Sequence, residues 1–399
     1  DALELVNLYT NIGNIYLKKA DSELALQYYQ RADNLISNSN AQKHDKKLAS
    51  IKNNTGLALM NLNKYREALS YLVQSLDLKK KHGFRAAMGE TMLNMAGCYA
   101  GLNKTAKAEY YYGLTLENIT LVHGEGHHSL VPVYLGYANL CLYNNCEANP
   151  LDLLHGALHI AQKSFDGVHP LKATVLYQLG NYYFEKSDWP KALENYQAAL
   201  GHISEGQGKG SMLANPAIEK MDFTNYDLPR ILVNKAHALK GLFHQGKKIE
   251  HLESSVSTYH LALKVLETFR QDYQLEESKY NLLEQSDSIY LSAMRSALDL
   301  YEVSLQDKHL ELAFEFMEHS KAALLQASLN ELNAKQIGLL PDSLINKELN
   351  LNTEISFTRQ LLRQEKRDKH PDPQRVKQLQ DKLFGLQRQK KNLIAGFEK

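Results

Sequence analysis

The chain has 399 residues, with 46 Lys and Arg against 45 Asp and Glu, and a formal net charge of +1. This balance gives no general argument for a nucleic-acid or membrane-surface partner. The 22 glycines and 9 prolines are too few for the frequent turns of a β-sandwich or barrel. A hydrophobic content of 44% excludes general disorder, so we expect a folded, mainly helical chain.

The start of the chain and its cysteines bear on its origin. The sequence begins with Asp1 rather than Met, so we expect a piece of a longer protein, whose targeting signal could have preceded it. The three cysteines form no CxxC pair and no disulfide framework, which fits a reducing compartment and favours the cytoplasm. No apolar run reaches the roughly 18 residues of a membrane-spanning helix.

A repeated pattern of small and large residues runs through residues 1–203. A small residue is followed three positions later by a larger one at Gly13/Tyr16, Gly56/Leu59, Ala96/Tyr99, Ala138/Cys141 and Gly180/Tyr183. The small residues lie 43, 40, 42 and 42 positions apart. A second small residue lies twelve positions further on, and a large residue four beyond that, as in Ala25 and Tyr29. The fourth copy departs from the pattern, because Pro150 takes the place of its second small residue.

Four prolines fall at about half this interval. Pro132, Pro150, Pro170 and Pro190 are separated by 18, 20 and 20 residues. Proline is tolerated in the first helical turn, where its missing N–H would have no partner. The spacing therefore predicts successive short helices, each with a proline near its start.

The pattern is typical of antiparallel helix pairs that stack side by side. Small residues let the two helices of a pair approach closely, and one pair needs neighbours to bury its apolar face. The pattern resembles the tetratricopeptide repeat. The period and the segments 123–128 (HGEGHH) and 167–170 (GVHP) resemble its kinesin-light-chain variety. This predicts an all-α fold, a tetratricopeptide-repeat superhelix of about seven helix pairs, with five regular repeats in residues 1–203.

Three further regions follow the regular repeats. Glycines and an Asn-Pro pair in residues 204–225 predict a flexible insertion. Two longer, degenerate helix pairs are predicted over residues 226–335. Residues 336–399 predict an antiparallel helical hairpin, broken at His370–Pro373 and leading to a missing C-terminal domain.

The C-terminal third resembles a second family. The motifs are 313–325 (AFEFMEHSKAALL), 276–279 (EESK) with 283–285 (LEQ), and 340–344 (LPDSL) with Glu348 and Leu351. They resemble the region just upstream of the peptidase domain in bacterial CHAT proteins, which join tetratricopeptide repeats to a caspase-like cysteine peptidase. The resemblance implies that this chain is the recognition and regulatory region without the catalytic domain.

Amide side chains recur beside the small residue of each first helix. Asn11, Asn54, Asn94, Gln178 and Asn234 lie two positions before it, Asn14, Asn139 and Asn181 lie one position after it, and Tyr177 precedes Gln178. Residues three apart share a helix face, so stacking should align these side chains along a concave groove. Asn both donates and accepts hydrogen bonds, which suits the backbone of an extended peptide. The resemblance to kinesin-light-chain repeats implies the same use.

Two structural roles for these amides stay open beside peptide binding. They could simply tolerate solvent, or they could form hydrogen bonds between repeats. A carboxylate clamp for acidic C-terminal tails is disfavoured, because Lys18 and Arg230 are the only basic residues assigned near this face.

The remaining chemistry-bearing residues favour ordinary structural roles. His155 and His159 have metal-ligand spacing but no third ligand, and the cluster His123–His128 lies in an inter-repeat loop. Cys98 and Cys141 fall on packing positions, and no phosphate-binding glycine motif is complete. We therefore predict no enzyme activity, no cofactor and no metal site.

The sequence thus predicts a module that binds a protein or an extended peptide in its groove, and that regulates an adjacent C-terminal peptidase domain. Alternatives are a scaffold that uses its convex faces or its hairpin, or a sensor of bacterial signalling peptides. Residues 359–399 hold 12 Lys and Arg against 5 Asp and Glu, but only two aromatic residues, which is too few for an interleaved base-stacking pattern. No nucleic-acid partner and no membrane span are expected.

Overall fold

The computed structural model describes residues 2–37, 44–204, 211–272 except 224 and 226, 276–321, eleven positions between 347 and 365, and 372–395. It divides into two compact units, Asp1–Leu266 with Ser286–Met317, and Glu267–Gln285 with Glu318–Lys399. None of the helices in these ranges is both long and apolar enough to cross a membrane.

Ten helices form five antiparallel pairs in the first unit. Their bounds are α1 Ala2–Lys18, α2 Ser22–Ser37, α3 Asp45–Asn61, α4 Tyr65–Lys81, α5 Arg85–Gly101, α6 Thr105–His123, α7 Val131–Tyr143, α8 Pro150–Ser164, α9 Pro170–Glu185 and α10 Trp189–Gly201. Each helix packs against the next in the chain. The described residues contain no strand, only an isolated bridge between Ser204 and Met221.

The next four described helices follow α10 along the chain. They are α11 Leu228–Gly246, α12 Ile249–Asp272, α13 Glu276–Ser304 and α14, helical over residues 307–321. The Ser255 hydroxyl donates to the Ala236 carbonyl at 2.7 Å, which joins α12 to α11. Lys240 forms an ion pair with Asp299 at 2.7 Å, which joins α11 to α13. The all-helical, tetratricopeptide-repeat fold class predicted from the sequence is confirmed.

Close contact between glycine and tyrosine holds the helix pairs together. A Cβ atom added to Gly13 would lie 2.5 Å from Cε1 of Tyr29, and one added to Gly180 would equally overlap the Tyr196 ring. Gly56 has the same relation to Leu72. These large residues are fully buried. The small residue of the first helix therefore makes room for the large residue of the second.

One turn geometry recurs between the two helices of a pair. A non-glycine residue has a left-handed φ of 53–60° at Ala20, Asn63, Asn103, Ser187, Lys247 and Leu305. A residue with positive φ just after a helix redirects the chain and satisfies its last carbonyl groups. The same turn joins α11 to α12 and α13 to α14, so the pairing of helices continues beyond α10. The α7–α8 connection lacks such a residue.

The prediction that prolines mark helix starts is confirmed. Each of the four lies in the first two positions of α7, α8, α9 or α10. Histidine caps the N-terminus of α9, since Nδ1 of His169 accepts a hydrogen bond from the Leu171 amide at 3.1 Å. His127 caps the 3₁₀ turn before α7 through the Ser129 amide. The inter-repeat histidines thus satisfy helix N-termini.

A buried lysine attaches the segment between α10 and α11. Lys235 is fully buried, and its Nζ donates to Oε1 of Gln197 at 2.8 Å, the Ala214 carbonyl at 2.5 Å and Oδ1 of Asn215 at 3.1 Å. Residues 205–210 of the predicted flexible insertion lie outside the described residues. In the described part, Lys235 joins the segment to two helices.

Burial lowers the pKa of Lys235 to about 7 from the ordinary 10.5 of lysine. Removing the ammonium ion from water penalises its charged form. Between pH 7 and 10.5 the unfolded chain therefore binds more protons at this residue than the folded chain does. Folding stability must rise with pH across this interval, and below pH 7 the full cost of the buried charge is present.

The second unit is described in part. Its helix α15 spans Pro373–Ala395, and the described positions between 347 and 365 are all helical. Glu365 accepts a hydrogen bond from the Asp372 amide at 3.2 Å and forms an ion pair with Nε of Arg375 at 3.2 Å, which attaches the start of α15 to the preceding helical segment. The motifs at 322–325 and 340–344 and most of the predicted hairpin break lie outside the described residues.

The contact between Gly180 and Tyr196 predicts an unusual effect of a helix-favouring substitution. Alanine normally stabilises a helix by about 1 kcal/mol over glycine. Gly180→Ala should instead lower the free energy of unfolding by about 1–3 kcal/mol, because its methyl group overlaps the tyrosine ring. Gly113→Ala is the matched control, because an added Cβ meets nothing within 4 Å there. In denaturant unfolding, the free energy of unfolding should fall for Gly180→Ala and rise for Gly113→Ala. Changes in the same direction would contradict the tight fit at Gly180.

A comparison of the parent chain with Lys235→Met tests the buried lysine. Between pH 7 and 10.5 the parent should gain stability relative to the variant by up to about 1.4 kcal/mol per pH unit. The measurement is the difference between their unfolding free energies across this range. Lys240→Met is the control at a half-buried position of the same helix. The stability of this variant should rise with pH across the range as the stability of the parent does. Parallel curves for parent and Lys235→Met would exclude the predicted proton linkage.

Candidate functional site

The odd-numbered helices α1 to α11 form one side of the array, which we term the inner face. Each helix from α1 to α9 in this set contacts the next odd-numbered helix as well as its pairing partner. In a stack of helix pairs, the more closely spaced set lies on the inside of the curve. The amides identified in the sequence belong to these odd-numbered helices.

The first repeat holds Asn14 between two donors. The Tyr29 hydroxyl and Nδ2 of Asn54 both donate to Oδ1 of Asn14, each at 2.8 Å. Tyr29 lies on α2 and Asn54 on the next odd-numbered helix, α3. The amide therefore joins both helices of its own pair to the following pair. Burial raises the pKa of Tyr29, so this hydroxyl stays protonated and donates.

The fifth repeat contains the same arrangement. The Tyr196 hydroxyl and Nδ2 of Asn234 both donate to Oδ1 of Asn181, each at 2.9 Å. Asn234 also donates to the Tyr177 hydroxyl at 3.1 Å, and Asn181 donates to Oε1 of Gln178 at 3.2 Å. Four of the predicted site residues thus lie in one hydrogen-bonded group.

A variant of the arrangement occurs on α11. Here His237 occupies the position of Asn14, and its Nδ1 lies 2.8 Å from the Tyr259 hydroxyl of α12. Burial, together with the nearby Lys240 charge, lowers the pKa of His237. The tyrosine of the second helix therefore meets a polar residue of the first helix in three of the pairs.

Hydrogen bonds continue from the second repeat into the third. Nδ2 of Asn53 donates to Oδ1 of Asn54 at 3.3 Å. Its own Oδ1 accepts from Thr91 at 2.9 Å and from Nδ2 of Asn94 at 3.3 Å. Nζ of the buried Lys79 donates to the Thr91 hydroxyl at 2.6 Å. A polar chain from Tyr29 to Lys79 therefore crosses the first three repeats.

Part of this polar chain is not predicted from the sequence. Asn53, Thr91 and Lys79 are buried polar residues, at 1%, 0% and 3% exposure. They lie beside the predicted ladder, but nothing in a single sequence distinguishes a buried polar partner from an exposed one. One of the two structural roles considered for the amides, hydrogen bonding between repeats, is observed for Asn14, Asn54, Asn94, Asn181 and Asn234.

The remaining predicted site residues differ in exposure. Asn11 and Asn139 are exposed and have no hydrogen-bond partner among the described residues. Asn94 and Tyr177 are only 6% and 9% exposed. In the fourth repeat Gly136 takes the place of an amide, and the Tyr112 hydroxyl fills the space that a side chain would need.

Several polar atoms on the inner face remain unused by the fold. Within the described residues, Nδ2 of Asn14, Oδ1 of Asn234 and the side-chain nitrogen of Gln178 have no partner. All three residues are half-buried. The inner face therefore presents both donors and acceptors that are held in position by neighbouring side chains.

A family model and a solved structure identify the fold. Residues 6–39 and 49–82 match the tetratricopeptide repeat model, so the first two helix pairs are tetratricopeptide repeats. No curated protein sequence matches the chain significantly. A Rap protein complexed with competence and sporulation factor is 14% identical, with a TM-score of 0.53 over 82% of this chain and 77% of its own. At this identity the similarity establishes a shared fold alone.

Two more solved structures are more distant. A putative kinesin light chain of nearly identical tetratricopeptide-like repeats from Podosopora anserina is 14% identical, with a TM-score of 0.39 over 49% of this chain and 94% of its own. The Rap conjugation gene regulator of the plasmid pLS20, in complex with the Phr* peptide, is 16% identical. It has a TM-score of 0.43 over 82% of this chain and 76% of its own.

A double-mutant cycle tests whether Asn14 joins the first two repeats. Tyr29→Phe and Asn54→Ala should each lower the free energy of unfolding by about 0.5–1.5 kcal/mol, because each removes one donor to the same oxygen. The loss of unfolding free energy in the double variant should differ from the sum of the two single-variant losses by at least about 0.5 kcal/mol.

Tyr65→Phe is the matched control, because its hydroxyl bonds only to the exposed Asn63 of the adjoining turn. Its effect should stay within about 0.5 kcal/mol. Strict additivity of Tyr29→Phe and Asn54→Ala would show that Asn14 does not couple the repeats.

Proposed function

We propose that the inner face binds an extended segment of a protein or peptide. The observation that carries this proposal is the fixed position of Asn14 and Asn181, each held by a tyrosine of its own repeat and an asparagine of a later one. Two copies of one arrangement, in the first and fifth repeats, supply the same recognition chemistry along the array.

An extended backbone offers alternating N–H and C=O groups. The unused amide nitrogens of Asn14 and Gln178 can donate to ligand carbonyls, and the unused Oδ1 of Asn234 can accept from a ligand N–H. Backbone hydrogen bonding of this kind gives affinity without selecting side chains. The exposed Asn11 and Asn139 each add a complete amide to the same face.

The internal hydrogen bonds favour binding rather than compete with it. A side chain that is already held in one rotamer loses little conformational entropy when a ligand arrives. Asn14 uses its oxygen atom for the fold, which holds its nitrogen atom in a fixed position, and Asn181 holds Gln178 in place through its own nitrogen atom. An amide that was free to rotate would have to be ordered by the ligand.

Side-chain selection by the proposed groove would come from the fourth and fifth repeats. Tyr143 is 61% exposed, and its hydroxyl donates to Glu185 at 3.0 Å. Leu142 and Phe184 are half-buried on the same two helices. A ligand with an apolar or aromatic residue at this place would cover surface that is now wet.

We further propose that this chain is a recognition region that acts on a caspase-like peptidase domain, and that it has no catalytic activity of its own. Support comes from the CHAT-like motifs at 313–325 and 340–344. Sequencing the coding region downstream of Lys399 tests this part. A His and Cys pair on a strand–helix pattern would support it, and any other type of domain there would contradict it.

A second candidate function is the sensing of a free signalling peptide. The similarity of fold to a Rap protein complexed with competence and sporulation factor favours it. It uses the same inner face but predicts a short, diffusible ligand instead of a segment within a larger protein. A scaffold role through the remaining surfaces of the array requires no ligand on the inner face at all.

Peptides selected from a random phage-displayed library against the purified chain provide the probe. Affinity for a selected peptide is measured by fluorescence polarisation. Asn139→Ala and Asn181→Ala should each weaken binding by about 2- to 10-fold, the value of one or two hydrogen bonds. Asn139→Ala is the more specific test of the two, because the Asn139 side chain has no hydrogen-bond partner among the described residues whose loss would perturb the fold.

Asn195→Ala is the matched control. Asn195 lies on the even-numbered helix α10, where it bonds to the Lys191 carbonyl of its own helix. Its loss should leave affinity unchanged. Equal affinity of all three variants for the selected peptide would exclude the inner face and favour the scaffold alternative.

A further inference from the structure

Three side chains with metal-binding atoms meet at the junction of the third and fourth repeats. They are Glu109 of α6, Cys141 of α7 and Cys146 of the α7–α8 loop, and their ligand atoms all lie within 4.8 Å of one another. The sequence alone predicts no metal site here, because Glu109 lies 32 residues before Cys141 and the cysteines have no CxxC spacing.

The separation suits a tetrahedral site after small adjustments. Zinc binds thiolate sulfur at about 2.3 Å and carboxylate oxygen at about 2.0–2.2 Å, so its ligand atoms lie roughly 3.5–3.8 Å apart. Side-chain rotations that move each atom inward by less than about 1 Å would produce this geometry from the observed one. Cys146 is half-buried, which leaves a path from solvent to a fourth position.

Neighbouring groups orient the carboxylate. Oε1 of Glu109 accepts a hydrogen bond from the Tyr137 hydroxyl at 3.1 Å and lies 3.4 Å from the Glu147 amide, which also donates to it. Metal-binding carboxylates are commonly fixed by such outer hydrogen bonds. The Tyr137 ring in turn stacks on Tyr112, with ring centroids 5.3 Å apart.

The loop that carries Cys146 is also held in place. Nδ2 of Asn144 donates to the Leu140 carbonyl at 2.9 Å, which caps the end of α7. Oδ1 of Asn144 accepts from the Thr105 hydroxyl at 3.1 Å, which attaches the loop to α6. The hydrogen bonds of Asn144 therefore fix the loop to both α6 and α7, and this brings Cys141 and Cys146 close to Glu109.

Among the described residues, the groups that shift the pKa values of the two thiols include no positive charge. Burial, and then the neighbouring thiol and the Glu109 charge, raise the pKa of Cys141. Burial also raises the pKa of Cys146, and Glu109 adds to this effect. A divalent cation placed among the three groups would reverse the balance, because it stabilises both thiolates and the carboxylate.

We propose that Glu109, Cys141 and Cys146 bind a thiophilic divalent cation, for which zinc is the best match, with water as the fourth ligand. Binding forms two metal–sulfur bonds and one metal–oxygen bond, and the two thiol protons pass to solvent. The cation would join α6 of the third repeat to α7 and its loop in the fourth. The α7–α8 loop, which carries Cys146, is the one connection within the five regular pairs that lacks the recurrent left-handed turn.

Cobalt(II) provides a spectroscopic probe for the site. The purified full chain, reduced with a phosphine and freed of metal, is titrated with Co²⁺ and then with Zn²⁺. We expect a thiolate-to-cobalt charge-transfer band that saturates at one equivalent, that zinc abolishes, and that accompanies release of two protons per cation. The melting temperature should rise with the concentration of zinc.

Variants separate the site from incidental thiol binding. Cys146→Ser and Glu109→Gln should weaken cobalt binding by more than the roughly 10- to 100-fold expected for Tyr137→Phe, which removes an outer hydrogen bond. Cys98→Ala is the control, because Cys98 is buried outside the cluster, and it should bind like the parent. Circular dichroism without metal verifies that each variant is folded.

Three results would overturn the proposal. They are the absence of a charge-transfer band in the reduced parent chain, an unchanged band in Cys146→Ser, and an equal loss of cobalt affinity in Cys146→Ser and Cys98→Ala. If air oxidation instead lowers the mass by two hydrogens while the reduced chain binds no cobalt, the cysteines form a dithiol–disulfide pair and not a metal site.

Discussion

The fit of a tyrosine ring against a glycine is the contact on which the inner face depends. Because Gly13 and Gly180 have no side chain, the rings of Tyr29 and Tyr196 lie against the first helix of their pairs. The hydroxyl groups then lie beside the next residue along that helix, Asn14 or Asn181. A packing requirement between two helices thus determines the orientation of the polar groups offered to a ligand.

The same amides contribute both to folding and to the proposed recognition. The oxygen atoms of Asn14 and Asn181 accept bonds from the neighbouring helix and from a later repeat. The nitrogen atom of Asn14 remains for other partners, whereas that of Asn181 donates to Gln178. A buried amide whose nitrogen and oxygen both have partners serves the fold only, as Asn53 illustrates. The half-buried positions of Asn14 and Asn234 retain unused atoms, which is why the proposed binding surface centres on them.

Much of the fold follows from local sequence, because helix pairing depends on small and large residues at fixed spacing and on prolines that tolerate only a first turn. The left-handed turn could not be predicted. Asn favours positive φ, but Lys247 and Leu305 have no such preference, so their conformation comes from the packing of the pair. The buried contacts of Lys235 and the approach of Glu109 to Cys141 could not be predicted either, since they join residues distant in sequence.

The substitution of an amide by Gly136 divides the array into unequal parts. Side-chain hydrogen bonds connect α1, α3 and α5 in an unbroken series, but a glycine cannot extend the series to α7. In a one-dimensional model of repeat stability, the nearest-neighbour coupling between the third and fourth repeats therefore lacks the contribution of amides on the odd-numbered helices, and its hydrogen bonds come from Glu109 and Thr105 of α6 instead. The stacking of Tyr112 on Tyr137 and the hydrogen bonds between α6 and the fourth repeat supply the cooperativity there.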